Sequence, residues 1–261
     1  MMEPSSSSSS SFSPFGKLLP RLIEKKNVEI YHYTYNRQTH FEQFKFYATC
    51  FVGYFKLWEP IDNLKIRVQL QWVIFISEIL KKYNHPHEGT ASIDNSLSSL
   101  KSFRECKLET IPTVIEKFRQ LTPRRLMENI LGLKYIDLEP IRNHYKNVWG
   151  PRYWLFLHYT SFCINQYGKE LINSMADLML NLHMVIVCPE CYENIFEHDI
   201  VDKVTMSMRE TQDPITVIYN FHNVVNASIG NKHFSQNSFY TKYECEMKLN
   251  NKIDYSRIIY I

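Results

Sequence analysis

The sequence predicts an all-α fold, and three observations carry that expectation. Apolar residues recur at spacings of three and four along most of the chain, as a buried helix face requires. Proline follows a capping residue at Thr122-Pro123 and Asp213-Pro214, two points where such patterns begin. No stretch alternates apolar and polar residues convincingly enough to be a half-buried strand.

Taken in order, the chain opens with "MMEPSSSSSSSFSP", part of a serine-rich tail over residues 1–25 that reads as disordered. It lacks the basic region and apolar core of a signal peptide, so secretion is not expected. An N-terminal helical domain is expected over 26–145. Phe44, Tyr47, Phe51 and Phe55 form one stripe, and Val68, Trp72, Phe75 and Ile79 a second. The polar run "NHPHEGTASIDNS" (84–96) reads as a loop. Val114, Ile115 and Phe118 mark a helix after Pro112, and Thr122 caps another that runs to about Ile130.

A C-terminal domain is expected over 146–261, with four helices of bundle length. Pro151 is expected to open the first, which carries Trp154, His158 and Phe162 on one stripe. Gly168 separates it from a second helix lined by Leu171, Met175, Leu178, Leu182 and Val185 or Ile186. "CPEC" (188–191) follows, then a polar connection, then the helix after Asp213-Pro214, which Gly230 ends.

Composition excludes several functions. The formal net charge is +3 with scattered basic residues, which leaves no electrostatic footprint for nucleic acid. The most apolar segment, "QWVIFISEIL" (71–80), contains Glu78 and is too short to span a membrane. None of the seven glycines forms a GxG or GxxxxGK loop, so any nucleotide must be held without a phosphate-cradling turn. Six cysteines do not make a disulfide framework for a chain of this size.

Chemistry concentrates at Cys188 and Cys191. With Pro189 opening a helix, Cys188 falls at the N-cap, where unpaired N–H groups and the helix dipole favour a thiolate. The two-residue spacing also suits a disulfide that opens and closes. A zinc site is the competitor, with His183 or His198 completing it, although no second CxxC is present. Inert buried thiols are the third possibility. In "NFHNVVNASIG", His222, Asn223 and Asn226 share one helical face, and His158 sits beside Trp154. Each patch alone reads as a solvated surface or a satisfied core histidine. Two of them around one CxxC read as a cofactor wall.

These segments resemble the Erv/ALR family of FAD-dependent sulfhydryl oxidases in three motifs that occur in order. "WGPRYWLFLH" (149–158) is similar to the family's opening Gly-x-x-x-Trp-x-x-x-His signature, "CPEC" to its redox CxxC, and "FHNVVNASIGNKHF" (221–234) to its His-Asn-x-Val-Asn motif. Chain length and the helical stretch before the motifs resemble the sulfhydryl oxidases of baculoviruses and nudiviruses.

The resemblance implies a four-helix bundle holding FAD non-covalently, oxidation of protein dithiols to disulfides, and reduction of O2 to hydrogen peroxide. Cys188 would receive substrate thiols and Cys191 would lie beside the isoalloxazine. Trp149, Arg152, Trp154, His158, His222, Asn223, Asn226, Lys232 and Phe234 would hold the cofactor, with no metal. It also implies a homodimer acting on protein thiols inside an infected cell, in host cytoplasm or nucleus or associated with the virion, with no nucleic-acid or membrane partner.

The chain departs from the family pattern at several positions. Asn220 stands where many members have histidine. Asn231 replaces a lysine common after the glycine, with Lys232 one place on. Cys245 is the only cysteine beyond 191, so the family's C-terminal structural disulfide is missing. The serine-rich tail has no shuttle cysteine pair. Buried free thiols are expected at Cys50, Cys106 and Cys163.

Overall fold

The computed structural model describes residues 30–57, 62–83, 111–138, 145–166, 169–186 and 200–250. The serine-rich tail, the 84–96 segment, Gly168 and the CxxC lie outside them. The described architecture is all-α. Strand β1 (Ile30–Tyr35) leads into two 21-residue helices, α1 (Arg37–Leu57) and α2 (Asn63–Tyr83). Helix α3 (Ile111–Gln120) and the short α4 (Pro123–Arg125) come next, and α4 continues as a π-helical turn, Leu126–Ile130. Then come α5 (Tyr145–Asn165), α6 (Lys169–Met179) and a 3-10 turn, Leu182–Val185. Helices α7 (Ile200–Thr211), α8 (Pro214–Ser228) and α9 (Gln236–Tyr243) precede strand β2 (Cys245–Asn250). No helix among the described residues is long and apolar enough to cross a membrane.

Helix α5 organises the packing because it is apolar on more than one side. One side meets α1 and the other meets α8. Phe156, wholly buried, stacks on Phe51 of α1 with centroids 4.1 Å apart and planes 15° apart, and Trp72 of α2 packs edge-on at 5.8 Å. Of the stripes expected on α1 and α2, Phe44, Phe51, Val68, Trp72, Phe75 and Ile79 are buried and Tyr47 is half-buried, while the Phe55 side chain lies outside what is described. Helices α6 and α7 pair with each other, and α7 also contacts α8.

Local chemistry sets the helix ends. Thr122 accepts from the Arg125 N–H at 3.3 Å, and Asp213 accepts from the Thr216 N–H at 3.0 Å. Each satisfies a donor that the first turn leaves unpaired. Gly230, at φ +73°, takes the left-handed conformation that ends α8.

Several expectations are corrected. Helix α5 starts at Tyr145, and Pro151 lies inside it. A proline in the second turn removes a single backbone donor, and buried Trp149 anchors the extra turn. The second C-terminal helix stops at Met179, yet its stripe continues onto the 3-10 turn, where Leu182 and Val185 are each 2% exposed. The connection before Asp213 is not merely polar: α7 occupies it, burying Ile200, Val201, Val204 and Met208.

Two strands also exist. β1 and β2 pair antiparallel, from Ile30 with Asn250 to Tyr35 with Cys245. Such a ribbon is marginal alone. Here it is fastened to helices: Tyr35 donates to the Phe162 carbonyl at 2.7 Å, and Tyr33 donates to Thr216 Oγ1 at 2.5 Å. Thr216 in turn donates to Asp213 at 2.6 Å, so the ribbon reaches the cap of α8.

Replacing Phe156 by Ala removes the ring that joins α1, α2 and α5, and is expected to cost about 3–5 kcal/mol. Denaturant titration checks this; a loss below about 1 kcal/mol would show that the stack does not hold the two halves together.

Candidate functional site

A cavity of about 570 Å³ opens between α5 and α8. That volume suits a ligand of drug or cofactor size. Trp149, Trp154 and Leu157 of α5 line one side, and Phe221, His222 and Asn226 of α8 the other. The helical period explains the choice on α5: residues 150, 153, 154 and 157 share one face, whereas 152 lies about 200° round from 154.

The two helices meet through stacked rings at the cavity. Trp154 and His222 stack with centroids 4.0 Å apart and planes 8° apart. Behind them His158, fully buried, places Nε2 at 3.1 Å from His222 Nδ1. His158 Nδ1 has no partner among the described residues. A buried N–H without an acceptor costs more than a bare ring nitrogen, which favours one tautomer pair. His158 carries its proton on Nε2 and donates it to His222 Nδ1, leaving His222 protonated on its own Nε2. Burial, with the Lys242 charge adding to it, pushes His222 down to about 4. The same effects and the His222 ring drive His158 well below its usual range. Both rings are therefore neutral at pH 7.

Asn223 does not line the cavity. Its amide spans the Phe234 backbone instead, accepting from the Phe234 N–H at 2.7 Å and donating to the Phe234 carbonyl at 3.1 Å. Tyr219 donates to the same carbonyl at 2.8 Å. This clasp holds the loop after Gly230 against α8 and brings the Phe234 ring to 5.6 Å from His222.

Of the residues singled out from sequence, Trp149, Trp154, His222 and Asn226 converge on the cavity, with His158 directly behind. Arg152 turns the other way, to the Tyr54 hydroxyl at 3.3 Å and Cys50 Sγ at 3.9 Å on α1. Lys232 is exposed beyond the rim. Cys188 and Cys191 lie outside the described residues, as does His198. His183 is buried on the 3-10 turn, and burial together with the Lys65 charge lowers its basicity. Among the described residues no group of three or more His, Cys, Asp or Glu side chains could hold a metal.

Among the cavity residues that sequence reasoning did not single out are Ile186, Ile200 and Lys242. The stripe through Leu182 pointed to Ile186, and the spacing of Ile200 with Val204 pointed to the second. Nothing local marked Lys242, which α9 brings in from 20 residues beyond His222 in the chain.

Aromatic and apolar walls with few polar groups suit a flat aromatic ligand with a polar extension. Trp149 adds a buried indole N–H with no partner among the described residues. The fold and the cavity thus define a helical domain with an internal site of cofactor type. Residues 151–244, a little over a third of the chain, match the Erv1 / Alr family, whose members are generally FAD-linked sulfhydryl oxidases. No curated protein and no solved structure matches the chain.

Two predictions follow from this geometry. Because His222 is depressed when folded, its contribution to stability is complete above about pH 6.5 and is lost as pH falls towards 4. Buried Asp213 is shifted up, chiefly by burial, so its contribution runs the opposite way, falling as pH rises above 3.8. The difference between wild type and His222→Gln isolates the histidine: it should shrink on acidification from pH 7 to 4.5, and a constant difference in denaturant titrations would contradict the assignment. Asn223→Ala strands the Phe234 N–H and should cost about 1–3 kcal/mol, with faster hydrogen exchange at that amide. Unchanged exchange there would remove the clasp.

Proposed function

We propose that the chain is an FAD-dependent thiol oxidase that converts protein dithiols to disulfides and reduces O2 to hydrogen peroxide. The observation that carries this reading is a cofactor-sized aromatic cavity on α5 and α8, within the stretch that matches the Erv1 / Alr family. Connectivity supports the role of the cysteines. Ile186 lines the cavity, and Cys188 follows it two residues further on in the sequence.

Trp154 and His222, stacked on one another, line the cavity where the ring system would lie, with Trp149 beside them. Neutral histidines add no positive charge to the wall, and apolar Leu157, Phe221 and Ile186 line it. FAD, when bound, supplies a two-electron acceptor that O2 can reoxidise. The chain's own step is thiol–disulfide exchange. A substrate thiolate attacks Cys188 Sγ of the Cys188–Cys191 disulfide, forming a mixed disulfide and releasing the Cys191 thiolate. A second substrate thiolate attacks the substrate sulfur of that mixed disulfide, expelling Cys188 as thiolate. The substrate is oxidised by two electrons and the cysteine pair is reduced by two. The other described cysteines suit bystander roles. Cys50, Cys163 and Cys245 are buried free thiols, and burial pushes each up, Cys245 to about 12. The same reading takes a homodimer inside an infected cell as the working unit.

Purified protein should be yellow, with a flavin absorbance band, and should consume oxygen when given a dithiol. Cys188→Ser should keep the flavin and lower turnover by about three orders of magnitude or more. A colourless protein that takes up no FAD and holds one zinc per chain would overturn the reading, and normal turnover by Cys188→Ser would overturn the assignment of that sulfur.

A further inference from the structure

Tyr153 lines the cavity too, and the function proposed above gives it no task. It stands on α5 and is 5% exposed. Its hydroxyl donates to the Val185 carbonyl at 2.5 Å. Val185 closes the 3-10 turn Leu182–Val185, and the chain leaves that turn in an extended conformation at Ile186, on the cavity wall. The turn's own last bond, from the Ile186 N–H to the His183 carbonyl, is long at 3.4 Å. Hydrogen bonds of 3-10 turns are poorly aligned, so a short turn of this kind holds its own exit weakly. The Tyr153 bond is short, buried and made from a distant helix, and a buried carbonyl is costly to leave unpaired.

The tyrosine is itself wedged in place. Its ring meets Trp149 edge-on at 4.9 Å and lies against Phe51 and Tyr54 of α1, at 4.9 Å and 6.2 Å. Burial, with Tyr54 adding to it, drives the Tyr153 hydroxyl well above its usual range, so it remains a donor. The turn also packs against α2. Both long helices of the N-terminal half therefore bear on it, α2 directly and α1 through Tyr153. A side chain whose rotamer is locked by packing can fix the position of the group it bonds.

We infer that Tyr153 is a positioning residue for the thiol–disulfide step: its hydroxyl sets where the chain that runs on to Cys188 leaves the cavity wall, and its ring, braced by Phe51 and Tyr54, ties that position to the N-terminal half. The inference rests on the FAD-linked reading above and adds to it a residue that acts through the Val185 backbone. It also gives the N-terminal half a part in the reaction.

The test compares full-length wild type with Tyr153→Phe, which keeps the ring and removes the donor. Tyr35→Phe is the control, because it deletes a like bond, from a tyrosine hydroxyl to the Phe162 carbonyl, away from the cavity. Thermal melts confirm that each protein is folded. Hydrogen exchange is followed in flavin-free protein, and anaerobic flavin reduction by dithiothreitol in FAD-loaded protein. Tyr153→Phe should speed exchange in the peptide spanning 184–191 and slow flavin reduction about tenfold, with FAD affinity unchanged. Tyr35→Phe should change neither. Both changes are required: an unchanged reduction rate would leave the bond a purely structural one, and unchanged exchange would remove the means by which it acts. Equal changes in Tyr35→Phe would also overturn the inference, by making general loss of stability the cause. A wild type that takes up no FAD overturns the oxidase reading and this inference with it, whereas a wild type whose flavin the dithiol reduces separates the other outcomes from that failure.

Discussion

Two imidazoles within hydrogen-bond distance can share a proton only while one of them accepts, and that requirement governs the meeting of α5 and α8. His158 is completely enclosed and His222 is half-buried, and their nitrogens lie 3.1 Å apart. Charging either ring places a cation in an apolar site beside a lysine, which is why both are depressed. The neutral pair orients His222 flat against Trp154, and that stacked surface gives the cavity its shape. Removing the pair would take away the hydrogen bond that joins the two helices beside the Trp154–Phe221 contact.

Behind that contact stands a second constraint. Helix α5 is one rod with two clients: the face carrying Trp154 and His158 serves the cavity, while Phe156 and Arg152 serve α1. The side chains of α1 and α2 pack against the rod and so hold its cavity face in place. Phe51, Phe156 and Trp72 form a close-packed aromatic cluster, and such interiors transmit displacement because they have little free volume to absorb it. The β1–β2 ribbon and α9 close the far end, burying Phe162, Phe239 and Tyr243 in a second cluster against His158.

Much of this was legible from spacing and caps. The stripes of α2 and α6, with Phe44 and Phe51 of α1, name residues that are buried, and Thr122, Asp213 and Gly230 do what their side chains or lack of one predict. Where the reading went astray, a local rule met a tertiary compensation. Pro151 marks a common helix start, but Trp149 buried against its neighbours carries α5 back to Tyr145. "IYHYTY" holds β-branched and aromatic residues that suit a strand, yet its partner lies at the other end of the chain, and no window of sequence joins the two. Asn223 and Asn226 share a helical face, but the structure spends one on the Phe234 backbone and gives the other to the cavity.

By itself the sequence determined the helical class, the two capped helix starts, the apolar stripes and the presence of Trp154, His158, His222 and Asn226 at spacings that put them on inward faces. Those are local properties, dictated by the helical period and by hydrogen-bonding side chains within a turn. Only the tertiary structure decided that Arg152 serves α1, that Asn223 is a clasp and that Lys242 enters the cavity. Each depends on which distant element comes alongside, and that is settled by packing the whole core at once, not by any segment's own preference.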